Sequence, residues 1–335
     1  MKLSVIVSVY NDNHDGYLRA CMDSLCNQTI SDYEVIAVDD LSTDDSLQVL
    51  REYEEKYPGK VRVIARETNG GPGAGKNTGL REAKGEWVTY VDHDDIISLD
   101  AYENLLRVAE EENADLAGGR WQKMDDKGNP FEEPCDLMTF PGTCEIDHDM
   151  RVGLIFKGER MWNKIIKKSV IEKCGFMLSE GTYIDDAPTT PFWMASCKKY
   201  AHYDGVVYYS REFMGSSSRS GLTVERCNQH LLTQHRMIEN SKKAGLFDEL
   251  REALECRYFV RGYLRTARKV RKGDMTKSEV REYYKILHKD LKENAHGWKT
   301  NPYLKERMTK REMQLAAMFM FSPKLYDLVL GITGR

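Results

Sequence analysis

The sequence predicts an α/β fold built on an open, mostly parallel sheet, and three observations carry that expectation. Apolar runs of strand length alternate four times with helical patterns between Leu3 and Asp95. The first run, Leu3 to Val9 (LSVIVSV), is continuous rather than alternating, as suits a parallel strand covered on both faces. Clusters of aspartate stand just past two of these runs, where a parallel sheet gathers its ligands.

The elements follow in order. A polar loop, Asn11 to Asp15, leads to a helical pattern from Tyr17 to Gln28 with Leu18, Cys21, Met22 and Leu25 on one side. A second strand, Tyr33 to Val38, ends in Asp39-Asp40, and Leu41-Ser42-Thr43-Asp44 cap a helix running to about Tyr57. A third strand, Val61 to Ala65, precedes a glycine-rich loop, and a short helix from Asn77 to Ala83 stops at Gly85. Trp87 to Val91 makes the fourth strand, ending in Asp92-His93-Asp94-Asp95. A helix over Leu99 to Asn113 and a strand over Asp115 to Gly119 come next, before a loop-rich region reaching Gly142. From Met161, MWNKIIKKSVIEKCGFML reads as strand then helix, and a turn brings Tyr183-Ile184-Asp185-Asp186. Pro188 and Pro191 open a helix through Cys197, and Val206 to Arg211 is strand-like. Beyond about Thr223 the chain reads as helix, with connections near Gly245, Lys272 to Asp274, and Gly297 to Pro302.

A hydrophobic content of 41% with 10% aromatics excludes wholesale disorder, and 335 residues suit one large or two medium domains. No apolar run approaches the roughly 18 residues needed to span a bilayer. The N-terminal MKLSVIVSVYN runs straight into strand without a small-residue cleavage site, so no signal peptide is expected. Eight cysteines, with no CxxC and no histidine at ligand spacing, read as reduced core thiols of a cytosolic protein. The net charge of −4 conceals a division: residues 257–335 hold 19 basic and 8 acidic side chains, and residues 1–256 hold 30 and 45. Such a split suggests two regions with different partners.

The string Gly70 to Asn77, GGPGAGKN, nearly meets the phosphate-cradling pattern G-x-x-x-x-G-K-[ST], with Gly70, Gly75 and Lys76 in place. Asn77 stands where a hydroxyl would hold Mg²⁺, so an NTPase reading fails at its last position and a glycine-rich turn is the other reading. The aspartates say more. Asp39-Asp40 and Asp92, Asp94 and Asp95 would repel one another without a cation, and their hard oxygens suit Mg²⁺ or Mn²⁺ bridging to a diphosphate. Asp44, Asp45 and Asp100 read instead as turn formers and caps. In Asp185-Asp186, a carboxylate near such a cation would serve as general base for a substrate hydroxyl.

In these segments, LSVIVSVYN, LCNQTISDYEVIAVDDLSTDDS, ETNGGPGAGKNTGLREAKGEWVTYVDHDD and the MWNKIIKKS to YIDDAP stretch, the chain resembles the family 2 inverting glycosyltransferases of the GT-A fold, of the bacterial polysaccharide-biosynthesis type. The resemblance implies that Val9, Tyr10, Asn11 and Asp39 line a uracil pocket, with Asp39 accepting from the base N3–H and Asp40 beside it. Gly70, Gly71, Lys76 and Asn77 fall in the family's N-G-G-x-x-x-A-R-N-x-G loop, Lys76 offering a point charge where Arg is usual. Asp92-His93-Asp94 matches the DxD motif: Asp94 would bind the metal, Asp92 the metal or ribose, and His93 the donor sugar. Asp186 would be the general base and Asp185 its neighbour. Trp162 and Lys164 match an acceptor-side W-x-K element, and the Tyr208 to Ser218 stretch a closing loop that brings Arg211 or Arg219 to the leaving diphosphate.

The expected activity is metal-dependent (Mn²⁺ or Mg²⁺) transfer of a sugar from a nucleotide donor, UDP by resemblance, to a saccharide or lipid-linked acceptor in cell-surface glycan synthesis. The alternatives are an NTPase or kinase using Gly70 to Asn77, or a non-catalytic carbohydrate-binding relative. The expected domains are a catalytic one over residues 1–222, with a nucleotide-sugar half to 119 and an acceptor half from 120, and a basic helical region over 223–335. That region ends in Met313 to Met320 and Leu325 to Ile332, amphipathic stretches that would lie on an anionic membrane at the inner face of the cell, pack on the catalytic domain, or dimerise. No nucleic-acid partner is expected.

Overall fold

All seven residues of β1 (Leu3–Val9) are buried, because the strand has a parallel neighbour on each side and a helix laid along it. The computed structural model describes residues 1–12, 16–135, 140–157, 160–212, 223–267, 270 and 275–332. Two compact units divide the chain at residues 216 and 217. The expected boundary after residue 222, and Ser216 to Ser218 and Arg219 of the expected closing loop, lie outside the described residues.

In the first unit, α1 (Tyr17–Cys26), β2 (Tyr33–Asp39), α2 (Ser46–Lys56), β3 (Val61–Ala65), α3 (Pro72–Glu82) and β4 (Trp87–Asp92) repeat strand then helix as expected. The short β5 (Ile96–Ile97), α4 (Ala101–Glu111), β6 (Leu116–Met124), β7 (Pro130–Cys135) and β8 (Cys144–Glu145) follow. Next come α5 (His148–Lys157), β9 (Lys164–Lys167), α6 (Lys168–Cys174), α7 (Thr190–Ala195) and β10 (Lys199–Arg211). One ten-stranded sheet runs β3-β2-β1-β4-β9-β6-β10-β5, with β7 beside β6 and β8 beside β10. The strands β1 to β4 are mutually parallel, and β9 is the antiparallel insert between β4 and β6. The α/β expectation is met, and the order turns back on itself between β1 and β4, the position at which such sheets open a crevice.

Strand β7 falls in the region read as loop, β6 runs past Gly119 to Met124, and α5 has no counterpart in the sequence reading; two further differences bear on the site. Helix α3 begins at Pro72, five residues before Asn77, so most of the glycine string is helix and not loop. Proline in the first helical turn, preceded by Gly71 at φ 79°, sets that start. Strand β10 begins at Lys199 and not Val206, since it pairs in parallel along β6, with bulges where the register slips near Val206.

The second unit is helical: α8 (Val224–Lys243), α9 (Phe247–Phe259) running on through π-helical Val260–Arg265, α10 (Lys277–Asn294), α11 (Pro302–Arg307), α12 (Lys310–Phe321) and α13 (Pro323–Ile332). Thr276 with Glu279 and Thr309 with Glu312 form reciprocal capping boxes that open α10 and α12. Among the described residues no helix is long and apolar enough to cross a membrane.

Candidate active site

The two aspartate clusters meet around the end of β1. Register sets Asp39 opposite Val9 on one side and Asp92 opposite Ser8 on the other. Glycines then allow α3 to lie directly on the strand. A Cβ on Gly75 would fall 2.0 Å from Ser8 Oγ, and one on Gly79 would fall 2.4 Å from Ile6 Cγ2. On Gly73 it would fall 2.1 Å from the Ser179 carbonyl oxygen and 3.0 Å from Asp185 Cβ, so the segment carrying Asp185 also closes on the helix.

Between these surfaces lies Lys76. Its Nζ is 3.3 Å from Asp92 Oδ1 and 3.2 Å from Asp185 Oδ2. The second contact is an ion pair without an aligned hydrogen bond, since Asp185 Oδ2 is buried with no hydrogen-bond partner among the described residues. Burial opposes charge on Lys76, but Asp185, Asp92 and Asp186 outweigh it and hold the ammonium protonated. Burial first, and then the like charge of Asp185, lift the Asp186 carboxyl above the usual range, while Lys76 pulls it back. A carboxylate of raised proton affinity beside a fixed cation suits a general base.

His93 is held from both nitrogens. Nδ1 lies 3.0 Å from the Ser8 carbonyl and Nε2 lies 2.7 Å from Asp12 Oδ2. Both partners are acceptors, an arrangement that favours donation from both nitrogens and hence the imidazolium form. Burial works against that charge, but the Asp12 hydrogen bond and the surrounding aspartates raise the His93 pKa. The expected donor-sugar contact is therefore replaced by a clamp on the acidic turn. Asp94 is lifted by burial and by Asp92, with His93 opposing. Asp95 is structural: it accepts from the Tyr208 hydroxyl at 2.6 Å and from the Arg211 amide at 2.7 Å, tying the turn to β10.

Other expected ligand residues separate into open and occupied groups. Asp39 Oδ2 accepts from the Ser42 amide at 3.1 Å, while Oδ1 is buried and unpartnered among the described residues. Tyr10 is exposed at the strand end and Val9 is buried in the core. Asp40 differs from expectation, because its carboxylate takes the Gly71 amide at 2.8 Å, the Gly70 amide and the Arg66 guanidinium. The Gly70 and Gly71 amides point at Asp40, which removes the phosphate cradle that an NTPase needs. Asn77, expected at the nucleotide, is buried and binds Leu178 through its carbonyl and amide at 3.0 Å each, and Glu180 at 2.8 Å. Asn11 Oδ1 accepts from the Thr43 amide at 2.6 Å.

Arg211 also departs from its expected place at a leaving diphosphate. Its guanidinium donates to the Asp94, Asp125 and Asp126 carbonyls and covers the Tyr17 ring at 4.2 Å. Lys164, expected at the acceptor, is 1% exposed and donates to the Arg160 carbonyl and Asn163 Oδ1 at 2.8 Å each. Trp162 is half-buried, stacked on Tyr208 at 4.1 Å and edge-on to Trp121 at 5.3 Å. Sequence reasoning missed Asp12, Arg66 and the packing role of Gly75 and Gly79. Only the glycines left a signal, the four-residue spacing of Gly71, Gly75 and Gly79 that marks one helix face.

A divalent cation has hard oxygens to bind here. Asp94 and the half-exposed Asp92 offer two carboxylates, and among the described residues no group of three or more His, Cys, Asp or Glu could hold an ion unaided. Two carboxylates fit an ion whose shell a diphosphate completes.

The profile of Glycosyl transferase family 2 matches residues 4–176. The chain is 39% identical over 132 residues to the poly(ribitol-phosphate) beta-glucosyltransferase of Bacillus spizizenii, covering 39% of this chain and 20% of that protein. It is 38% identical over 234 residues to the glycosyltransferase GlyA of Streptococcus pneumoniae, covering 66% of this chain and 31% of that protein. The chain therefore spans less than a third of either relative. Among solved structures, TarS of S. aureus (residues 1–349, in complex with UDP-GlcNAc) superposes with a TM-score of 0.67 at 20% identity, covering 97% of this chain and 92% of that one. The shared architecture is the GT-A fold.

Proposed function

Because the chain belongs to glycosyl transferase family 2, we propose that it moves a sugar from a UDP donor to a hydroxyl of a saccharide or lipid-linked saccharide in cell-surface glycan synthesis, with inversion. One observation carries the reading: a single ammonium, on Lys76, touches both Asp92 at the donor end of β4 and Asp185 of the pair that supplies the base. Donor and acceptor chemistry thus share one charge centre. The likeness to the Bacillus poly(ribitol-phosphate) beta-glucosyltransferase, and to TarS bound to UDP-GlcNAc, supports a UDP donor and a glycan-type acceptor.

The chain's own groups divide the work. Asp39, whose buried Oδ1 has no partner among the described residues, accepts the uracil N3–H, and Tyr10 flanks the base. Asp186 takes the proton from the acceptor hydroxyl as that oxygen attacks the anomeric carbon from the face opposite UDP. The bond from that carbon to the UDP oxygen breaks, and UDP leaves with the electron pair. Lys76 keeps its charge through the step and offsets the negative charge that collects between the carboxylates and the diphosphate. Asp94 and Asp92 would hold Mn²⁺ or Mg²⁺, which would supply further neutralisation of the diphosphate. The reading sets the protein at the cytoplasmic face of the membrane, its basic helices toward the anionic leaflet.

The test is a panel of UDP-sugars offered to the purified chain with and without Mn²⁺, with UDP release measured. Turnover of one UDP-sugar is expected. Release from none of them, together with ATP or GTP hydrolysis, would sink the proposal.

A further inference from the structure

The helical unit carries a groove of about 720 Å³ between α10 and the turn joining α12 to α13. Its base is rigid. Tyr284 meets Phe319 edge-on at 5.4 Å and Tyr326 at 5.8 Å, and His288 Nε2 lies 3.0 Å from the Met320 carbonyl, which it serves as donor. Pro323 cannot continue α12, so the chain breaks at Ser322 and α13 turns away, leaving the space open.

The rim is cationic and the lips are apolar. Arg281, Lys285 and Lys324 all line the groove and are exposed. Its one acidic lining residue, Asp327, is drawn to Arg281 at 3.5 Å, and neither Lys285 nor Lys324 has a hydrogen-bond or ion-pair partner among the described residues. Beside these charges Phe321 is 80% exposed, Leu328 59% and Leu325 40%, three large apolar side chains in water within eight positions. Isolated exposed apolar residues are ordinary, but a cluster rimmed by cations has the profile of a surface that meets an amphiphile with an anionic head.

We propose that this groove receives the phosphate headgroup and upper chain of an anionic phospholipid, with Lys285 and Lys324 on the phosphate and Phe321 and Leu328 among the acyl chains. The inference rests on the membrane contact put forward above and deepens it by naming the site. Charge decides between occupants: a second copy seated groove to groove would face like charges across the contact, whereas an anionic leaflet complements them.

Flotation of the full chain with phosphatidylcholine vesicles, with and without phosphatidylglycerol, tests this. Wild type should float only with phosphatidylglycerol. Lys285→Glu with Lys324→Glu should weaken binding by about tenfold or more, whereas Lys305→Glu with Lys310→Glu, the same charge change outside the groove, should cost several-fold less. Phe321→Ser, which changes no charge, should also weaken flotation. All these positions are exposed, and unchanged thermal melting confirms the fold of each variant. Equal losses from the two lysine pairs would overturn the groove and leave the membrane contact standing. Absence of flotation by wild type would overturn both. If sedimentation velocity shows that Phe321→Ser dissociates an oligomer while flotation is unchanged, the occupant is a second copy and the lipid assignment falls.

Discussion

Lys76 Nζ stands 3.2 Å from Asp185 Oδ2, a contact between residues more than a hundred positions apart that joins the helix after β3 to the segment before α7. Both side chains are largely buried, with exposures of 14% and 9%, so neither charge is well hydrated and each depends on the other. The same ammonium reaches Asp92, which makes it the link between the acidic turn and the Asp185-Asp186 pair. A diphosphate approaching this cluster, as proposed, would meet carboxylates already partly neutralised by the lysine.

Replacing Lys76 by Met strands the buried carboxylates and is expected to cost about 3 kcal/mol of stability, measured by denaturant unfolding. It also moves the pH profile. Lys76 lowers the Asp186 pKa against burial and Asp185, so its loss raises that pKa further, and the acid limb of kcat/KM shifts to higher pH. The sign for stability follows: a raised folded pKa favours the protonated form, so the variant loses further stability as pH rises through it. Lys76→Arg should keep the wild-type limb. An unmoved limb in Lys76→Met would separate Lys76 from the base.

The packing of α3 on β1 is tested by Gly75→Ala. The added methyl would meet Ser8 Oγ at 2.0 Å, inside van der Waals contact, so helix or strand must shift. Overpacking of this kind costs about 1–3 kcal/mol. A fall in Tm together with weaker UDP binding is expected, since Lys76 follows Gly75 directly. A melting curve like that of wild type would contradict the close approach.

Cation dependence is tested at Asp94. With Mn²⁺ or Mg²⁺ removed by chelation, turnover should fall and recover on titrating the ion back. Asp94→Asn should lower kcat/KM by at least about 10²-fold at saturating ion, a loss typical of removing a preorganised charge contact. An identical Mn²⁺ titration in wild type and variant would remove Asp94 from the metal site.

The sequence displayed the strands and acidic strand ends because both are local: LSVIVSV is a buried strand in any parallel sheet, and Asp92 follows Trp87 to Val91 directly. The use made of each polar group was not local. Asp40, Asn77 and Arg211 match ligand positions by motif, yet spend their side chains on Gly71, Leu178 and the Asp94 carbonyl, partners that only folding brings near. Asp12 sits in a polar loop with no pattern of its own and gains a role only when His93 arrives beside it. The glycine string misled for a physical reason. Glycine is a poor interior helix former, so its run read as loop, whereas here the missing Cβ atoms are what permit α3 to lie on β1.

Asp186→Asn tests most directly whether Asp186 is the base of an inverting transfer, with transfer rate and UDP affinity measured on the same preparation. The amide keeps the size of the side chain and removes its proton affinity. Transfer is expected to fall by about 10²–10⁴-fold while UDP binding stays within about twofold. A variant that binds UDP and turns over near the wild-type rate would contradict the account.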